Sequence, residues 1–159
     1  MEQSTLSKCL KTIIAGVWLC GLALYFVILP IFGMDMVLSY PEFENRFWPW
    51  LIFIWCTGLP CAAALVFAWR ISTNIGADRS FSRENAKLLK WISTLAICDA
   101  AYFFLGNIVL LCLNMSHPGV AIVLLLVVFA AIAVAMAAAV LSHLVMKAAL
   151  LQEQSDLTI

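Results

Sequence analysis

The chain has 159 residues, 65% of them hydrophobic and 11% charged, and nine basic and nine acidic side chains cancel to a formal net charge of zero. A water-soluble domain of this size is nearer half apolar and a quarter charged, which excludes a soluble globule, a disordered chain and a basic reader of nucleic acid. The charges are also segregated. Thr12 to Met34 and Phe47 to Trp69 are each 23 residues without Asp, Glu, Lys or Arg, and from Trp91 to Met146 only Asp99 interrupts 56 such residues. About 20 apolar residues cross the hydrocarbon of a bilayer as a helix, so these stretches predict an integral membrane protein.

In chain order, the first predicted span covers 12–32. Lys8 and Lys11 precede it as in a signal peptide, but its apolar run is too long for an h-region and no small-x-small cleavage site follows. Bulky Trp18 and Leu19 before Cys20 also speak against a lipoprotein site. The segment is expected to remain as a helix. An outer loop is expected over 33–46, mildly acidic through Asp35, Glu42 and Glu44. The second span, 47–69, contains Gly58 and Pro60, and a proline inside a helix removes a hydrogen bond and predicts a kink. An inner loop follows over 70–87. Its Asn74, Gly76 and Asp78 read as a turn, Ser82 stands where a helix N-cap belongs, and Glu84 complements the helix dipole in the first turn. A helix from near Arg83 to about Leu113 would be about 45 Å long, so its first turns project beyond a third span at 88–113. Asn114-Met115-Ser116-His117-Pro118-Gly119 then breaks the apolar run, and the fourth span is placed at 119–146. The fold class expected is all-α: an integral membrane four-helix bundle forming one domain over 1–159.

Basic residues set the expected orientation. Lys8, Lys11, Arg70, Arg79, Arg83, Lys87, Lys90 and Lys147 lie on one side and Arg46 on the other, eight against one. Both termini and the central loop are therefore expected in the cytoplasm. Tyr40, Phe47, Trp48 and Trp50 mark the outer boundary and Trp69 and Trp91 the inner one.

Asp99 is the first candidate site. It lies eight residues past Trp91, which places its carboxyl about 12 Å into the hydrocarbon. An acid at that depth must be paired, hydrated or protonated. It reads either as a proton or cation relay, or ligand anchor, or as a hydrogen-bonded carboxyl that fixes helix packing. Thr94, Asn107 and Thr57 are its candidate partners, and no Lys or Arg is available at equal depth. In the fourth span Ala131, Ala135 and Ala139 recur every four residues, a small-xxx-small pattern that serves packing within the bundle or a homo-oligomer. Arg83, Lys87 and Lys90 fall on one helix face, which rests on anionic headgroups or docks a cytoplasmic partner.

The remaining motifs argue against enzymatic chemistry. The six cysteines include no C-x-x-C pair and no zinc-ligand spacing, so they read as small apolar residues. His117 and His143 are predicted near opposite boundaries and cannot jointly hold a haem. No nucleophile and base stand together, so no catalytic residue, metal or cofactor is expected.

Phe81-Ser82-Arg83-Glu84-Asn85 with Leu88-Leu89, and the ending from Ala148 through Glu153, Asp156 and Leu157 to Ile159, resemble a family of small bacterial four-span membrane proteins catalogued as domain of unknown function 2975. That family carries an F-S-x-x-N stretch after its second span and an acidic E-x-D-L-T-[IV] ending. Here Gln154-Ser155 stand where a second acidic residue and Asn are usual. The resemblance implies a bacterial inner-membrane location, no established activity, and a soluble helix-turn-helix regulator as partner, since members are often encoded beside one. The expectation is thus a non-enzymatic membrane partner or sensor for such a regulator, with Phe81, Ser82, Arg83, Asn85, Lys87, Lys90 and Asp156 at the contact, the lipid bilayer as its surroundings and no direct contact to nucleic acid. The alternative is a small proton-coupled transporter or exporter using Asp99. The orientation is checked by fusing reporters to the carboxyl end: a cytoplasmic fluorescent protein should be active there, and a periplasmic phosphatase inactive.

Overall fold

The computed structural model describes residues 3–115 and 118–156. Four long helices run antiparallel in chain order: α1 (Gln3–Ser39), α2 (Phe47–Gly76), α3 (Arg83–Cys112) and α4 (Pro118–Asp156). The fold is an all-α four-helix membrane bundle, with no strand among the described residues. The start of α1, the α2–α3 turn and the end of α4 lie together at one end, called here the basic end after the cations it carries.

Burial is inverted relative to a soluble protein. Ser7, Thr57, Ser72, Asn74, Asn85, Ser93 and Asn107 are buried, while large apolar side chains face outward, Leu59 being 73% exposed. In water so extensive an apolar surface would drive aggregation, whereas lipid tails solvate it.

The helix α1 is not uniform. Leu24–Ile28 form a π-helical turn, closed by the Leu29 N–H donating to the Leu24 carbonyl. The cause lies in the sequence. Pro30 has no N–H and its ring crowds the carbonyl four residues back, so the helix takes in one extra residue just before it. The Tyr25 carbonyl is thereby left without a donor from its own helix, and the Trp55 indole of α2 donates to it at 2.9 Å.

The predicted outer loop 33–46 is largely helix. The helix α1 continues to Ser39, Pro41–Arg46 form a 3-10 segment, and α2 begins at Phe47. Gly33 permits this because its bare backbone lies against α2. A Cβ there would come within 2.7 Å of the Phe47 ring. Pro41 ends the helix by forcing Tyr40 into extended backbone, φ −137°.

Both of the other connections close in the same manner. After α2, Asp78 takes a left-handed φ of 59°, and the Asp78 and Arg79 N–H groups donate to the Ile75 and Asn74 carbonyls. After α3, Asn114 at φ 52° does likewise, with Asn114 and Met115 donating to Leu111 and Leu110. These are Schellman caps, and Asp and Asn are the side chains that best tolerate the left-handed position after Gly. Arg46 reaches from the α1–α2 connection to the Asn114 carbonyl. His117 and Ser116 lie outside the described residues.

Helices α3 and α4 pack most extensively. Ala86, Ser93, Ala100 and Asn107 recur every seven residues on α3 and are all buried, facing Val128, Ala135, Ser142 and Ala149 at the same interval on α4. This is a 3.5-residue seam, and its small side chains let the backbones approach until Ser93 donates to the Ala135 carbonyl at 2.8 Å and Ser142 to the Ala86 carbonyl at 2.7 Å. The predicted four-residue stripe follows this seam at Ala131 and Ala135 and leaves it at Ala139, which is exposed, while Ala138 is buried. A strict four-residue step drifts off a seam of period 3.5. Backbone packing otherwise runs α1 on α2 and α2 on α3, and among the described residues α1 and α4 do not meet. At the basic end Ser7 and Ser72 exchange hydroxyl-to-carbonyl bonds of 2.7 and 2.9 Å between α1 and α2.

Ala135→Leu should overpack the α3–α4 seam and lower stability by about 1–3 kcal/mol. Ala139→Leu, on the exposed face of the same helix, should stay within about 0.5 kcal/mol of the parent. Denaturant-induced unfolding of the purified protein in detergent compares the two.

Candidate functional site

Two groups of residues stand out, one within the hydrocarbon and one at the basic end. The first gathers where three helices meet. Asp99 lies near the midpoint of α3. Its Oδ2 faces the Cys61 thiol of α2 at 3.8 Å, a long and weak contact, and its Oδ1 is buried without a hydrogen-bond partner among the described residues. One turn from Cys61, Thr57 donates to the Ile54 carbonyl of its own helix at 2.7 Å. The hydroxyl proton of Thr57 is thus committed, so the 2.8 Å contact to Tyr25 of α1 is a bond donated by the phenol. Tyr25 also faces Cys61 and lies within electrostatic reach of Asp99. Gly58 lets the phenol approach: a Cβ at that position would sit 3.4 Å from its ring.

Backbone irregularities share this level. The π-helical turn of α1 contains Tyr25, while in α2 Pro60 has no N–H to offer the Cys56 carbonyl one turn back. Aromatic rings flank the group. Phe53 packs on Tyr102 at 5.1 Å and stacks on Phe103 at 5.7 Å, and Tyr102 lies within electrostatic reach of Asp99.

Of the expected intramembrane residues, Asp99 and Thr57 belong to this group, and Thr94 and Asn107 do not. Thr94 is exposed and bonds back to the Lys90 carbonyl at 3.0 Å. Asn107 stands two turns beyond Asp99 and donates to the Phe103 carbonyl at 2.9 Å, its Oδ1 buried and unpartnered. Thr57 is drawn to Tyr25 and not to Asp99. Position 94 points about 140° away from position 99 around α3, and Asn107, on a nearby face, stands about 12 Å further along the helix. Tyr25 and Cys61 escaped the sequence reading because a lone phenol and a cysteine in an apolar run carry no polar pattern. Pro30, five residues after Tyr25, was the available signal that a carbonyl there would need an outside donor.

At the basic end Asn85 organises the turn. Its Oδ1 accepts from Asn74 at 2.8 Å, its amide donates to the Arg79 and Ser80 carbonyls at 3.1 and 3.0 Å, and its backbone N–H donates to the capping Ser82 hydroxyl at 3.2 Å. Asn85 is 1% exposed. The expectation that Asn85 contacts a partner is therefore corrected: every polar atom of its side chain already holds the α2–α3 turn. Ser82 is an N-cap and partly buried. Arg83 forms a bidentate ion pair with Glu153 of α4, with Nε to Oε1 at 2.9 Å and Nη2 to Oε2 at 2.5 Å. Phe81, Lys87 and Lys90 are exposed beside it. Asp156 ends α4, and Leu157 to Ile159 lie outside the described residues.

Residues 31–159 match the family described as protein of unknown function (DUF2975). The chain is also similar to the uncharacterized membrane protein YoaS of Bacillus subtilis (strain 168), 27% identical over 160 residues that cover 99% of each chain. No solved structure matches it.

Asn85→Ala strips the Arg79 and Ser80 carbonyls and the Asn74 amide of their partner, at about 1–3 kcal/mol for each group left unsatisfied in the interior. Arg83→Ala removes only an exposed ion pair and should leave the unfolding midpoint nearly unchanged. Thermal unfolding in detergent distinguishes a structural Asn85 from a surface one.

Proposed function

Because the chain belongs to the DUF2975 family of membrane proteins, we propose that it is a non-enzymatic membrane partner for a small soluble regulator of the helix-turn-helix type, docked at the basic end. The observation that carries this reading is the Arg83–Glu153 ion pair. It places Glu153, near the end of α4, against the first turn of α3, beside the stretch from Phe81 to Asn85. The surface there offers the Phe81 ring, 59% exposed, just before α3, and the exposed Lys87 and Lys90 on its first turns. An apolar ring together with cations suits a partner that offers a hydrophobic notch and acidic side chains. The helix α3 runs without interruption from Arg83 past Asp99 to Cys112, so a change in packing within the bilayer would be felt at its capped end.

A second reading is a small proton-coupled transporter or exporter. One observation favours it, the buried and unpartnered Asp99 Oδ1 at mid-membrane depth.

Co-purification tests the docking proposal. The detergent-solubilised protein, isolated from native membranes, should retain a small helix-turn-helix regulator, and the combination of Phe81→Ala, Lys87→Glu and Lys90→Glu should release it. Removing 152–159 should do the same. Equal recovery with parent and variants would overturn the docking surface, and the helical content of each variant shows that release is not misfolding.

A further inference from the structure

Helices α1 and α3 both pack on α2, but their backbones do not pack on one another. Among the described residues their backbones leave an angle over α2, a groove bridged at mid-depth by the Tyr25, Cys61 and Asp99 side chains. The floor at mid-depth is the α2 face bearing Thr57, Gly58 and Cys61, one wall carries Tyr25, and the other carries Asp99. Cys61 is exposed, so the groove opens sideways into the lipid at this level. Asp99 presents Oδ2 toward that opening and keeps Oδ1 inside.

Three features define what such a recess takes up. An ionised carboxylate within hydrocarbon is stabilised by a positive partner, and the spans of this chain contain no Lys or Arg at that depth. The hydrogen-bond donors nearby are either committed, as the Tyr25 phenol is to Thr57, or weak, as the Cys61 thiol is. Tyr25 and Tyr102, the latter packed on Phe53, supply ring faces that attract an organic cation, more strongly where water is excluded. Entry from the side selects a ligand already dissolved in the bilayer.

We propose that the groove at Tyr25, Cys61 and Asp99 is a lateral binding site for a lipid-soluble organic monocation, whose charge is matched by the Asp99 carboxylate and whose apolar substituents lie against the aromatic walls. This deepens the second reading above, and it concerns binding at equilibrium, so a site that binds without transporting is distinguished from a failed site. A basic residue on a helix of another membrane protein would also match the acid. The recessed position favours the small ligand, because Asp99 lies in the angle between two helices and not on a convex face that a third helix could cover.

The test uses tetraphenylphosphonium and full-length protein in an uncharged detergent, read by equilibrium dialysis. Saturable binding of one cation per chain is expected. Asp99→Asn, nearly the same size but unable to carry charge, should weaken binding about tenfold or more, and Asp99→Glu should retain it. The uncharged tetraphenylsilane should not compete. Circular dichroism confirms that each variant keeps its helices. Three outcomes would overturn the proposal: no saturable binding to the folded parent, equal binding by parent and Asp99→Asn, or a second membrane protein that co-purifies through Asp99 and is not displaced by the cation.

Discussion

Within hydrocarbon every backbone N–H and carbonyl must find its partner inside the protein, and one such carbonyl arranges much of this molecule. Pro30 cannot donate to the turn before it, α1 opens into a π-helical turn, and the orphaned Tyr25 carbonyl is taken by Trp55. That single bond sets the register of α1 against α2. With the register fixed, the Tyr25 side chain falls on Thr57 and Gly58, and the phenol is brought to the level of Asp99. The position of the polar group thus descends from a missing amide proton five residues along the chain.

The two halves of the bundle are joined by different means. Helices α3 and α4 rely on close backbone approach along a seam of Ala and Ser, with hydroxyl-to-carbonyl bonds substituting for the hydrophobic drive that lipid cannot supply. Helices α1 and α2 make fewer close contacts and are pinned at three heights: Ser7 with Ser72, Tyr25 with Thr57 and Trp55, and Gly33 under Phe47. The tightly seamed pair forms one unit, and the pinned pair meets it mainly along α2, with Arg46 reaching the Asn114 carbonyl at the end away from the basic one. Any relative movement of the two units opens or closes the angle in which Asp99 sits.

The spans were legible because hydrocarbon excludes charge strongly, whereas a chain folding in water seldom runs 23 residues without an ionised side chain. Local signals also carried through where their physics is local, as with Ser82, which caps α3, and the turn at Asp78. Features set by tertiary approach were not legible. Nothing before Pro41 marks whether a helix continues past Gly33, since that depends on the Phe47 ring arriving from another helix. The Phe81-Ser82-x-x-Asn85 stretch looks like a recognition surface in sequence, yet its Asn85 faces inward and is consumed by the turn. The hydroxyl and amide side chains of Thr94, Asn107 and Thr57 were the legible partners for Asp99, whereas the side chain that meets its carboxylate is the Cys61 thiol of α2.

The lengths of the four rods have a mechanical consequence. Helices α2 and α3, at 30 residues, extend about 45 Å, whereas α4, at 39 residues, extends about 58 Å, far beyond a hydrocarbon slab of about 30 Å. The surplus of α4 is accommodated by tilt or overhang, and the Arg83–Glu153 clasp couples its overhang to the start of α3. A thinner or thicker bilayer changes the lean each rod must adopt. The clasp therefore sits where a difference in membrane thickness becomes a displacement outside the membrane.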